Sequence, residues 1–451
     1  MATILTRSLT LALCLLSLAA LTACGDDDAD VVSDAGGDGD GDGDGDGDAG
    51  GDGDGDGDVD SGVPGCDLVL APSDDDTETL QTALIEGVTS GDTICLEPGE
   101  YRPTAELSLT AFRDITLKGL GETREDVVID FADQETGDDG IYVTADGFTI
   151  ENMWIKNSPG NGVVVSADDS VFRNLKVTWD TGSVTENGAY AVYPTNCNRT
   201  IVENVEVIGA SDAGIYVGQC REAIVRNNIV RANVIGIEVE NTTTADVYDN
   251  TIEDNAVGIL AVILPNLDKK DGGDVLLREN QVSGNDRENF AEEGTTAAAI
   301  PPGCGILVIG LPDVEIRGNT ITDQTGPAVF VASYEIFELL SGAPSDDPET
   351  DKWPKRIYIH DNMFEDVGTA PTGDWDLLGE PPIPAVIWDG RLAPEIETQA
   401  EMEVCLGEEE QMQFVKGATG EVADVLGPST RTTDTTDHEC ELDPLPELED
   451  F

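Results

Sequence analysis

The stretch GIYVGQCREAIVRNNIVRANVIGIEVENTTTADVYDNTIEDNAVGILAV, from Gly214 to Val262, states one phrase twice and begins it a third time. A glycine-led apolar run recurs at Gly214, Gly236 and Gly258, 22 residues apart. Working outward, the same run appears earlier as GIYVT from Gly140, GVVVS from Gly162 and GAYAV from Gly188, and later as GILVI from Gly305. The step of 47 between Gly258 and Gly305 fits either two turns or one turn with a long insertion. A second phrase lies between these runs, an apolar strand carrying Asn152, Asn174, Asn204, Asn228, Asn250, Asn280, Asn319 or Asn362. Two β-branched segments per unit at a fixed period in the low twenties are the mark of a solenoid.

The physics selects an all-β, single-stranded right-handed parallel β-helix. Short Val/Ile runs ended by Gly, Asn or Asp are half-buried strands with tight turns. In GIEVE, alternation points Ile237 and Val239 inward and Glu238 and Glu240 outward. The eight asparagines are expected to line up at one turn position, bonding backbone groups of their own and neighbouring coils. No amphipathic helical pattern separates the strands, which excludes alternating βα units.

Residues 1–23 read as a lipoprotein signal peptide. Arg7 supplies the positive end, Leu9–Leu21 the apolar core, and Leu21-Thr22-Ala23-Cys24 resembles the lipobox in which the cysteine is lipidated. The apolar core is too short for a stable span. Residues 24–65 read as the lipidated Cys24 and a tether: Asp26–Asp60 holds sixteen aspartates and no basic residue, and Gly-Asp alternation cannot form a core. The expected location is outside the cytoplasm, lipid-anchored at the outer membrane, with the lipid as the only membrane contact and the chain monomeric. Most of the formal charge of −69 lies beyond the tether, and such a surface repels nucleic acid and anionic lipid.

The solenoid is expected over 66–367, with a helical N-terminal cap around Leu80–Val88 and an irregular C-terminal cap and acidic tail over 368–451. A cap is needed because an open solenoid end exposes strand edges. The segment GDTICLEPGEY, Gly91–Tyr101, resembles the opening of right-handed β-helix proteins of the pectate-lyase type. The segments WDTGSVTENGAYAVYPTNC, SDAGIYVGQC, VIGIEVENTTTADVYDN and GILAVILPNL resemble the exported bacterial parallel β-helix repeat-containing proteins, often lipoproteins. That resemblance runs from about Asp92 to DHECELDPLPEL and implies fold and export, without an activity. Likeness to periplasmic β-helix factors that mature nitrous oxide reductase is confined to the repeat.

Export permits disulfides. Cys197 and Cys220 are almost one coil apart, Cys66–Cys95 would staple the first cap and Cys405–Cys440 the second, leaving Cys304 as a buried thiol. The alternative is that all remain unpaired. With only His360 and His438 and no C-x-x-C, a zinc or copper cluster is not expected.

Motifs of known β-helix chemistries are missing: there is no Gly-His-Gly and no Asp-Pro-His. The pair Asp168-Asp169 reads as a solvated turn. Arg199, Arg221, Arg226 and Arg231 are plentiful bases for a calcium-assisted lyase, but no local motif singles them out. One constellation carries a hypothesis. Aligning the glycine-led strands puts Tyr142, Val164, Tyr190, Tyr216 and Glu238 at equivalent outward positions, with Glu240 two residues on. Rings that stack on sugar faces beside acids that accept hydroxyls would suit a glycan groove, with Ca²⁺ the one cofactor left open. Three readings follow: glycan recognition, a cation-dependent polysaccharide lyase or epimerase, and a non-enzymatic partner of another exported protein.

Overall fold

The computed structural model describes residues 62–451 apart from 337, 339–344, 346, 373, 374, 376, 377, 379, 408–413 and 417–432. The signal segment, Cys24 and the Gly-Asp tether fall outside the described residues.

Inward-facing β-branched side chains stack coil on coil. Val163, Val192, Ile215, Ile237, Ile259, Ile306, Val329 and Val386 follow one another in register through eight consecutive strands, all parallel. These side chains are fully buried in the main core. Among the described residues the strands form an eleven-stranded sheet and a second, twenty-stranded set. The architecture is a right-handed parallel β-helix. Most coils carry one strand on the first sheet, then a longer and a shorter strand on the second, as in Ile235–Glu240, Thr243–Tyr248 and Thr251–Glu253.

The repeated glycine has a steric cause. A Cβ on Gly236 would stand 2.5 Å from the carbonyl oxygen of Gly258, and one on Gly258 would stand 2.4 Å from that of Gly305. The 47-residue step proves to be one turn, since Val257–Val262 pairs directly with Cys304–Ile309.

The asparagines divide into two files. Asn228, Asn250, Asn280, Asn319 and Asn362 form a buried ladder in which each amide donates to the side-chain oxygen of the next at 2.9–3.0 Å. Each also donates to a core-strand carbonyl, as Asn250 does to Val225 at 2.9 Å. Asn152, Asn174 and Asn204 sit one position earlier, in the left-handed region at φ of 59°, 51° and 55°. The single expected file is therefore corrected: in those three coils Met153, Leu175 and Val205 fill the ladder position with apolar bulk. A second amide ladder, Asn233–Asn255–Asn285, runs five residues later and ends on Gln324.

The N-terminal helix is Asp76–Ile85, earlier than the expected segment, started by the Asp75 carboxylate accepting from the Glu78 amide at 2.9 Å. It lies against Ala105–Leu109, the first strand of the eleven-stranded sheet, through paired Gln81–Ser108 hydrogen bonds. Coil stacking continues past the expected limit of 367, through Val386–Trp388, Val404–Leu406 and Phe414–Lys416. Long connecting loops hide these last strands from the repeat pattern. Cys66–Cys95, Cys197–Cys220 and Cys405–Cys440 are disulfides, and Cys304 is a buried free thiol. Three disulfides belong to a protein outside the reducing cytoplasm. No described helix is long and apolar enough to cross a membrane.

Candidate functional site

The outward face of the eleven-stranded sheet carries the site. One outward file runs Ser108, Tyr142, Val164 and Tyr193, then Tyr216 level with Tyr193, then Glu238, Leu260, Leu307 and Phe330. Glu240 lies in the next outward file, level with Gly218 and Val262. Sequence alignment on Gly188 placed Tyr190 in this row; the strand is Val192–Pro194, so Tyr193 holds that position. Tyr190 precedes the strand and packs on both neighbours, its ring 4.7 Å from Tyr193 and 4.5 Å from Tyr216.

Part of the tyrosine–glutamate row is covered. Tyr216, Glu238 and Glu240 are only 5–6 % exposed. Tyr216 belongs to a second apolar cluster that includes Phe290, Ala297 and Ile300 from the insertion and Trp375, Leu378 and Ile383 from the later loop. The two covers meet where the Trp375 indole N–H donates to the Pro302 carbonyl at 2.8 Å. Tyr190, Tyr193 and Asp212 remain half-buried and form the accessible side of the cluster. Tyr142 is half-buried two coils away from Tyr193.

Three carboxyl groups converge here: Glu238, Glu240 and Asp212, the last not signalled by the repeat. Burial pushes Asp212 up to about 7, even though the Tyr190 hydroxyl, 3.5 Å from its Oδ2, works the other way. Burial also pushes Glu240 up to about 7, against the hydrogen bond that the Tyr216 hydroxyl donates to its Oε1 at 2.6 Å. Glu238 is raised well above its ordinary value by burial and by the charges of Asp212 and Glu240. Among the described residues no cation contributes to these shifts. Asp212 Oδ1 is buried without a hydrogen-bond partner. Burial likewise lifts the Tyr190 and Tyr216 phenols, reinforced by the surrounding acids. Near neutral pH the site is thus a set of partly protonated acids beside packed rings, able to donate as well as accept hydrogen bonds. Acids perturbed together in this way mark candidate functional sites.

Among the described residues no group of three acidic, His or Cys side chains is arranged to hold a metal ion. The candidate arginines stand elsewhere. Arg199 pairs with Asp169, Arg231 with Glu206, and Arg226 with Glu203, all on the twenty-stranded set. A lyase arrangement of acids beside an arginine base is therefore not assembled at the cluster. Asp168 serves its turn by accepting from the Asn198 backbone at 2.7 Å. Tyr193 was missed because an irregular lead-in after Gly188 breaks the glycine alignment, and Asp212 because it stands just ahead of its strand, outside the aligned run. The one available signal was the second tyrosine in GAYAVYP.

The fold and the stacked outward files define the class, a right-handed β-helix protein. Residues 125–263 match the family described as "Right handed beta helix region". No curated protein matches the chain in sequence. Solved structures resembling it include the A-module of a mannuronan C-5 epimerase from Azotobacter vinelandii, at 17% identity and TM-score 0.48, covering 73% of this chain and 90% of that one. An alginate lyase from a Paenibacillus species gives 14% identity and TM-score 0.43, covering 68% and 97%. A polygalacturonase from Erwinia carotovora gives 11% and 0.45, covering 67% and 93%.

Proposed function

We propose that this is an exported, lipid-anchored β-helix protein that engages carbohydrate at the Tyr190–Tyr193–Tyr216 cluster and its three acids. The observation that carries the reading is the joining of three mutually packed tyrosine rings to Asp212, Glu238 and Glu240, all held toward neutrality without a cation. Tyr190 and Tyr193, being half-buried, offer ring surface to a sugar, and the half-buried Asp212 carboxyl lies beside the Tyr190 hydroxyl. The signal segment with Cys24 and the three disulfides support export.

A second reading is catalytic: acids that titrate near 7 can exchange protons with a bound uronate or hydroxyl as an epimerase or lyase requires. Incubation with neutral and acidic oligosaccharides, with and without Ca²⁺, separates the two. Binding without new reducing ends, unsaturated products or epimerised residues supports recognition. Turnover that is lost in Asp212→Asn supports the enzyme. Neither binding nor turnover across the panel would reject both.

A further inference from the structure

The twenty-stranded set carries a second outward constellation, unrelated to the carbohydrate reading. Glu203, Arg226, Tyr248, Arg278, Arg317 and His360 occupy one outward position on six consecutive coils. Two residues earlier on the strands run Ile224, Asp246, Leu276 and Glu315. Asp246 takes both sides of the Arg278 guanidinium at 2.9 and 3.1 Å, and that guanidinium lies 3.8 Å from the centre of the Tyr248 ring.

The segment Leu442–Asp450 crosses these files. The sequence places this acidic, Pro-containing end in the second cap, along or over the final coil. It does begin there, where Cys440 is bonded to Cys405, but then returns along the side of the rod. Leu445 donates its backbone N–H to Glu315 Oε2 at 2.6 Å, and Leu448 donates to Asp246 Oδ2 at 3.1 Å. Glu447 pairs with Arg317 at 2.5 Å and lies 3.8 Å from Arg278, while Asp450 grips Arg226 through both oxygens at 2.5 and 3.0 Å.

Glu315 to Asp246 is two coils, bridged by the three residues from Leu445 to Leu448, and Glu447 lies between Arg317 and Arg278, three and two coils from the Arg226 that Asp450 holds. Polyproline II chain advances about 9.3 Å in three residues. Two parallel strands span about 9.6 Å. An extended Pro-containing peptide thus stays in step with the rod. Leu442, Leu445 and Leu448 repeat at the same interval and are the segment's half-buried residues, and Ile224 and Leu276 beneath are buried.

We propose that these two files form a recognition site for an extended acidic peptide with leucines and carboxylates at three-residue intervals, and that residues 442–450 are its tethered occupant, displaceable by such a segment of another polypeptide. A peptide is favoured over an anionic polysaccharide because Glu315 and Asp246 receive main-chain N–H groups. A polyuronate would meet those two carboxylates with acids of its own. The Cys405–Cys440 bond fixes the pivot and leaves the following residues free to be exchanged.

The test uses the full chain and a labelled synthetic peptide LDPLPELEDF, the sequence of residues 442–451. In the wild type the tethered segment competes at a high effective concentration, so the peptide binds weakly. Glu447→Ala with Asp450→Ala, both at exposed positions, loosens the tether and is expected to tighten peptide binding about tenfold or more. A peptide with those two acids replaced by alanine, or a scrambled peptide of equal charge, is expected to lose that binding. Equal binding to wild type and double variant, equal binding of the scrambled peptide, or tighter binding of oligogalacturonate than of the peptide would overturn the proposal.

Discussion

The Tyr216 hydroxyl donates to Glu240 at 2.6 Å across adjacent coils, and its ring reaches that partner by lying over Gly218, where a Cβ would stand 2.1 Å from it. A neutral residue with no side chain thus sets the geometry of a buried phenol and a buried acid.

This bond makes Tyr216→Phe a pH-dependent change. Because the hydroxyl holds Glu240 down against burial, its loss raises the Glu240 pKa further. At pH 5 the acid is protonated in either protein and the cost is that of one hydrogen bond, about 1 kcal/mol. At pH 8 the variant also bears more of the unrelieved carboxylate burial, so its melting temperature falls further below wild type than at pH 5. A pH-independent difference would contradict this.

The three acids make the whole fold pH-sensitive in an unusual direction. Their folded pKa values lie above those of the unfolded chain, about 7 for Asp212 and Glu240 and well above the ordinary carboxylate value for Glu238, so the folded state binds more protons between the unfolded and folded values. Their stability contribution is present in full below the unfolded pKa and is lost as pH rises through the folded one. Thermal melts of Glu238→Gln are expected to match wild type near pH 5 and exceed it by a few degrees at pH 8. A lower melting temperature at pH 8 would count against the assignment.

The two asparagine files should respond differently. Asn250→Ala removes the donors to Val225 and Asn280 and the acceptor used by Asn228, leaving buried groups unpaired. Its expected cost is about 3 kcal/mol. Asn204 is exposed in left-handed backbone, so Asn204→Gly is expected to fall within about 0.5 kcal/mol of wild type. Denaturant unfolding of the two variants measures both.

The Cys197–Cys220 bridge joins adjacent coils at the edge of the site-bearing sheet. Cys197→Ser with Cys220→Ser is expected to cost about 2–4 kcal/mol. Cys304, buried and with its thiol pKa raised by burial, should stay inert to thiol reagents until the chain unfolds, which a reagent-labelling time course reads directly.

The rod was legible because one inward file repeats without interruption: Ile215, Ile237, Ile259 and Ile306 need no tertiary information to be aligned. The position of Tyr190 was misread because Gly188 imitates the strand-leading glycines while standing in a loop. The burial of Glu238 and Glu240 was not legible, because alternation marks both as outward and the cluster that Ile300 and Trp375 join beside Tyr216 depends on loop contacts that no repeat encodes. The return of Leu445 and Leu448 along the rod depends on matching a peptide rise to a coil rise, and that comparison becomes available only once the coils are counted in space.

The central claim, carbohydrate recognition at the ring-and-acid cluster, is tested most directly by calorimetric titration of the folded chain with neutral and uronic oligosaccharides near pH 6. The comparison is Tyr190→Ala with Tyr193→Ala. The account predicts saturable binding by wild type that weakens at least about tenfold when both rings are removed. Binding unchanged in the double variant, or no binding to any glycan in the panel by the intact protein, would contradict it.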